Sequence, residues 1–145
     1  MPTNEIDVSI GRPIAEVSEF VTRIENNLRW VGAVVEAEQT SEGAPGLGTA
    51  GRLKVSHLGW RFEVDIEVTE FDPERAFAIR STSGLVPFRV RWSFAEEEGG
   101  TKFGYEMELA SGMFGIFGMY KRQMLADATT LKELLENGDA GAPGT

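Results

Sequence analysis

Alternation of apolar and polar side chains dominates the middle of the chain. From Trp60 to Val68 the residues Trp60, Phe62, Val64, Ile66 and Val68 fall on one side, and Arg61, Glu63, Asp65 and Glu67 on the other. Period two of this kind predicts a strand with one buried and one wet face. The pattern recurs downstream. Phe77, Ile79 and Ser81 share one side of the next run, while Phe88, Val90, Trp92 and Phe94 alternate with Arg89, Arg91 and Ser93. Phe103, Tyr105, Met107 and Leu109 then alternate with Gly104, Glu106 and Glu108. Asp72-Pro73-Glu74 and Glu98-Gly99-Gly100 are turn formers, so these runs predict an antiparallel meander. Upstream, Ile6, Val8 and Ile10 mark a first strand, Val34 to Thr40 a weaker second one, and Leu53, Val55 and His57 one face of a third.

Two segments change period. Val17, Phe20, Val21, Ile24 and Leu28 recur at helical spacing after Pro13, which suits a first helical turn. Glu25-Asn26-Asn27 divides this stretch into two short helices ending near Trp30. After Ala110, the residues Phe117, Tyr120, Met124, Ala128, Leu131 and Leu135 form an apolar stripe, with Lys121, Arg122, Lys132 and Glu133 elsewhere on the wheel. This long C-terminal helix stops at Asn137-Gly138. The expectation is one α+β domain over residues 1–137, with a flexible tail over 138–145. One curved antiparallel sheet has one apolar face, and the last helix is the only long element available to cover it.

Composition narrows the function classes. The 145 residues are 41% hydrophobic and 26% charged, as in ordinary globular domains. A formal net charge of −9 disfavours nonspecific binding to nucleic acid or to an anionic membrane surface. With no cysteine and one histidine the chain offers no disulfide, no thiol nucleophile and no tetrahedral metal site. No basic and apolar leader is visible at the N-terminus and no apolar run is long enough to span a bilayer. A cytoplasmic location, no stable membrane insertion and no cofactor are therefore the expectations.

One motif argues for a nucleotide. Gly46, Gly48 and Gly51 spell G-x-G-x-x-G, the spacing of a dinucleotide-binding loop. Such a loop follows a strand and opens a helix, whose N-terminus holds the pyrophosphate. Here Arg52-Leu53-Lys54-Val55-Ser56-His57 alternates instead, so the glycines predict a strand-connecting loop and no phosphate cradle.

The order of elements and several local features resemble the helix-grip superfamily, which groups START lipid-transfer domains, pollen-allergen-like proteins and polyketide cyclases/dehydrases (SRPBCC). The pieces that carry this are Ile10-Gly-Arg-Pro13 leading into Val17-x-x-Phe20-Val21, Trp30 closing the short helices, the Gly46–Gly51 loop, and Gly112-Met-Phe-Gly115-Ile-Phe-Gly118 running into Lys121-Arg-Gln-Met-Leu125. The resemblance is closest to the polyketide cyclase/dehydrase-like branch. It implies a seven-stranded sheet wrapped around the last helix, with a ligand cavity between them whose mouth the glycine loop often borders.

The inward positions such a cavity would draw on are Trp60, Phe62, Val64, Ile66, Phe77, Ile79, Val90, Trp92, Phe103, Tyr105 and Met107, closed by Phe117, Tyr120, Met124 and Ala128. Almost all are apolar, which favours a hydrophobic, ring-containing ligand held by few polar groups. His57 and Tyr105 are the candidates for proton transfer. For His57 the favoured reading is a partly exposed turn histidine, since no partner for catalysis is visible, while Tyr105 reads equally as a core tyrosine with a satisfied hydroxyl. Ser81 adds a small polar group, and Trp30, Trp60 and Trp92 are core residues that can double as stacking walls. Arg80, Arg89 and Arg91 face outward opposite acidic residues and predict a solvated cross-strand network. Met113 to Tyr120 mixes large apolar residues with glycine, and reads as a cavity lid, a membrane-touching surface, a dimer contact or plain close packing of helix on sheet. Three functions fit: a binding module for a lipid, polyketide or quinone-like molecule; a polyketide cyclase/dehydrase using the same cavity; or a protein-interaction module.

Overall fold

The computed structural model describes residues 3–57, 59–84, 87–109 and 117–138, with backbone alone for 3, 57 and 117–120. The elements follow the order β1 (Thr3–Ile10), α1 (Ile14–Val21), a 3-10 turn (Ile24–Asn26), α2 (Asn27–Trp30), β2 (Val34–Gln39), β3 (Ala50–His57), β4 (Trp60–Asp72), β5 (Ala76–Ser81), β6 (Phe88–Glu97), β7 (Gly100–Leu109) and α3 (Phe117–Glu136). The strands form one seven-stranded antiparallel sheet in the order β1-β7-β6-β5-β4-β3-β2. This is the expected α+β helix-grip architecture. The chain travels once across the sheet from β2 to β7, and β1 closes the far edge against β7.

Local chemistry explains the breaks. Pro13 stands immediately before α1, with backbone angles outside the helical region, and the Arg12 guanidinium bridges Glu16 one turn on at 2.8 Å. The helix ends because the Asn26 amide donates to the Phe20 carbonyl at 2.9 Å, taking over an acceptor that a further turn would have used. Register shifts at Val34/Glu36 in β2 and at Val68/Glu70 in β4 bend the sheet. At the end of α3 the Gly138 N–H reaches the Leu135 carbonyl at 3.2 Å with φ at 77°, a conformation glycine adopts without strain.

The inner face carries the core: Ile10, Val17, Phe20, Val21, Ile24, Trp30, Ile66, Phe77, Trp92 and Phe103 are buried together with Ala128, Leu131 and Leu135 of α3. The outer face carries the expected charge pairs, among them Arg52–Asp65 at 3.0 Å, Lys54–Glu36 at 2.7 Å and Arg91–Glu70 at 2.8 Å. Helix α3 packs against β1 and α2, tied down by Lys132 Nζ on the Ser9 carbonyl at 2.7 Å and by the Gly11 N–H on Glu136 at 2.7 Å. Among the described residues no helix is long and apolar enough to cross a membrane.

The glycine loop is a strand connection, as the alternation after it predicts. Gly48 adopts φ of 84° and donates to the Val68 carbonyl at 2.9 Å. Gly51 already lies in β3, where a Cβ would meet Ile24 Cδ1 at 2.8 Å. Its role is to let the short helical segment approach the sheet.

Candidate ligand-binding site

Where α3 and the aromatic core leave off, the inner face of the sheet stays open. A cavity of about 120 Å³ lies between the sheet and α2 with the turn that follows it. Its walls include Phe62, Val64, Ile79, Val90, Trp92, Tyr105 and Met107, all predicted inward positions. Val34, Leu53, Val55, Phe88 and Leu109 complete the sheet side, and Asn27, Val31 and Ala33 form the wall opposite. These additions went unrecognised in the sequence because the walls come from segments far apart in the chain. Leu53 and Val55 were legible as a shared face, but nothing in the pattern said that β2 and β3 curl over to meet α2.

Other predicted site residues lie elsewhere. Trp60 is 76% exposed, a correction to its reading as a core residue. The alternation gives its side of the strand correctly, but β5 joins β4 only from Ile66 onward. The β3–β4 hairpin tip, where Trp60 pairs with His57, thus extends past the part of β4 that β5 covers. Phe77 and Trp30 are buried in the aromatic cluster beside the cavity: Phe77 stacks on Trp92 at 5.5 Å, and Trp30 meets Trp92, Phe103 and Tyr105 edge-on, each at 5.8 Å between ring centroids. Phe103 and Met124 are likewise core residues. Ser81 does not turn its hydroxyl to the cavity; its Oγ accepts from the Phe88 N–H at 3.0 Å and so fastens β5 to β6. The glycine loop supplies none of the described cavity walls. It connects to β3 at Ala50, the end opposite Val55 and the hairpin tip, which corrects its placement at the cavity mouth. The side chains of His57, Phe117 and Tyr120, and the segment before Phe117, lie outside the described residues.

The cavity's polar inventory is short. Among the described wall residues Tyr105 alone titrates, and burial pushes its phenol well above the ordinary range, with the nearby Asp127 charge adding to the effect. The hydroxyl therefore stays protonated, able to hold a hydrogen bond but unfit as a base. Asn27 and Trp92 are each 2% exposed. Asn27 Oδ1 and Trp92 Nε1 are buried without any hydrogen-bond partner. Each such orphan costs about 1–3 kcal/mol of desolvation.

A buried carboxylate beside the site also escaped the sequence reading. Asp127 of α3 is 4% exposed and accepts from the Gly32 N–H at 2.9 Å and from the Gln123 amide at 2.8 Å. Burial outweighs these bonds and holds its carboxyl above the usual range. Its bond to Gly32 fixes α3 to the turn between Val31 and Ala33, two of the cavity wall residues. The signal was available: Asp127 precedes Ala128 and follows Met124 by three, so the helical stripe contains an acid.

An apolar gap between a curved antiparallel sheet and its helices defines a helix-grip domain with an open cavity. The family model described as "Polyketide cyclase / dehydrase and lipid transport" matches residues 1–136, and the chain belongs to that family. No curated protein matches it significantly. Among solved structures it is similar to the Zhui aromatase/cyclase from Streptomyces sp. R1128 (15% identity, TM-score 0.75, covering 99% of each chain). It is also similar to TTHA0849 from Thermus thermophilus (21% identity, TM-score 0.73, 99% of this chain and 100% of that one). A third, Ara h 8.0201, shares 14% identity at a TM-score of 0.72 over 94% of this chain and 98% of that one. Identities this low speak to the fold.

Proposed function

We propose that the protein binds a hydrophobic small molecule of lipid, polyketide or quinone-like chemistry in the cavity between sheet and helices. The observation that carries this reading is the cavity itself, walled by apolar side chains and left open where the rest of the inner face is filled. A close-packed interior does not keep such a gap without cost, because wall atoms facing empty space forgo their dispersion contacts. Membership of a family that includes lipid transport supports the same reading. Native mass spectrometry of the purified protein, with extraction of any co-purified molecule, is the test. A ligand mass is expected; no mass shift after incubation with lipid and polyketide panels would overturn the reading.

A cyclase/dehydrase activity is the second reading, favoured by the Tyr105 hydroxyl at the cavity wall. A hydrogen bond from the Tyr105 hydroxyl to the oxygen of an enolising ketone would suit its protonated state, the phenol keeping its proton throughout. It ranks second because the described walls offer no further titratable group to take a proton up. Tyr105→Phe separates the two: turnover of a poly-ketone lost with binding kept supports the enzyme, and binding without turnover in either form supports the carrier. A pure protein-interaction role is disfavoured by the open gap, which such a role does not require.

A further inference from the structure

Three inward cross-strand pairs succeed one another toward the tip of the β3–β4 hairpin: Leu53 with Val64, Val55 with Phe62, and His57 with Trp60. The first two pairs wall the cavity, and the third continues the same face beyond them. Leu53 and Val64 are buried, Val55 and Phe62 are partly buried, and Trp60 is the most exposed large hydrophobic side chain described. Burial thus falls steadily along this wall, which runs out into solvent at Trp60. From this continuation we infer that Trp60 contacts the ligand, and that the ligand is an elongated molecule with two linked rings, one inside the cavity and one stacked on Trp60. This deepens the binding reading and rests on it.

Size, distance and charge carry the class. A dry cavity of about 150 Å³ holds benzene, and this one, at about 120 Å³, suits one ring at most. Trp60 stands two residues past Phe62, about 7 Å further along the strand. A single ring seated against Val55 and Phe62 therefore leaves Trp60 uncovered, whereas a second ring on a short link reaches it. Tryptophan suits that position, because it offers a large flat apolar face at small cost in conformational freedom. No cationic side chain stands among the described walls, so an ionised group at the buried end would enter without a counter-charge. The inner ring is therefore uncharged.

The test compares benzene with bibenzyl, two benzene rings joined by a two-carbon link, in NMR titration and acrylamide quenching of the full chain. Trp30 and Trp92 are buried, so acrylamide reports chiefly on Trp60. Bibenzyl is expected to shield Trp60 from the quencher, and benzene to leave it accessible. Trp60→Ser is expected to weaken bibenzyl about tenfold, the worth of one aromatic contact, with benzene binding unchanged as proof of an intact cavity. Trp60→Phe keeps a ring at the rim and is expected to recover most of the loss. Bibenzyl bound equally by the wild type and Trp60→Ser, or benzene weakened as much as bibenzyl, would overturn the inference while leaving the binding reading standing. The same holds if phosphatidylcholine vesicles, or rising protein concentration, shield Trp60 with no probe present, because a membrane or a second copy then covers it. If neither benzene nor bibenzyl binds, both this inference and the binding reading lose their support.

Discussion

The two ends of the sheet's inner face obey the same alternation and hold different contents. At the packed end, Trp30 sits among the rings of Trp92, Phe103 and Tyr105, and α3 lays Ala128, Leu131 and Leu135 into the core. At the hollow end the branched side chains of Val34, Leu53, Val55, Val64, Ile79 and Val90 stand among the rings of Phe62, Phe88, Trp92 and Tyr105, and α2 with its following turn forms the facing wall. Alternation decides which way a side chain points. Whether that direction is filled depends on side-chain length and on what stands opposite. A sheet can therefore build a stable core and an open cavity on one face, by varying the length of its inward side chains and what stands opposite them.

This contrast can be broken in graded ways. Trp30→Ala removes the hub of the aromatic cluster and is expected to cost about 3–5 kcal/mol in chemical denaturation, the largest effect of the set. Added volume should act oppositely at the two ends. Ala128→Leu inserts bulk where no exposed surface remains and is expected to cost about 1–3 kcal/mol. Val90→Leu inserts bulk beside the hollow, and should stay within about 1 kcal/mol of the wild type while weakening benzene binding at least about tenfold. Equal losses of stability from the two substitutions would mean that the ends do not differ.

The junction between the ends depends on Asp127. Asp127→Ala leaves the Gly32 N–H without its acceptor and is expected to cost about 1–3 kcal/mol. Asp127→Asn keeps an oxygen for Gly32 and should separate charge from geometry. Because the folded protein holds this carboxyl above its ordinary pKa, the native state binds the proton more readily than the unfolded chain. Stability therefore falls as pH rises from the ordinary carboxylate range through the raised value. The Asn variant is expected to lose that slope and to gain on the wild type toward neutral pH, as thermal unfolding across pH 4 to 7 (about that interval) would record. Smallest of all, Trp60→Ser at the extended hairpin is expected to move stability by less than about 0.5 kcal/mol, since most of the side chain is exposed.

Much of this was legible before any coordinates, and the remainder was hidden for identifiable reasons. Period two from Trp60 to Val68 located β4 and its buried side, and the apolar stripe from Met124 to Leu135 located α3. The element order carried the fold. What periodicity lacks is the third dimension. It could not show that β4 outruns β5 and strands Trp60 in solvent, nor that Phe103 packs under Trp30 instead of facing the cavity. Asn27 read as part of a helix-breaking Glu-Asn-Asn, although it is Asn26 that ends α1 and Asn27 that meets the cavity. The G-x-G-x-x-G spacing was correctly set aside on the alternation that follows it, yet its tightest glycine, Gly51, turned out to accommodate Ile24.

The central claim is that the inner face is hollow at one end and solid at the other. Methyl NMR of the protein titrated with benzene tests it most directly. Saturable shifts are expected in the methyl groups of Val34, Leu53, Val55, Val64, Ile79, Val90 and Leu109, with Ile10, Val17, Leu131 and Leu135 unmoved. No saturable shift, or shifts of equal size in both sets, would contradict it.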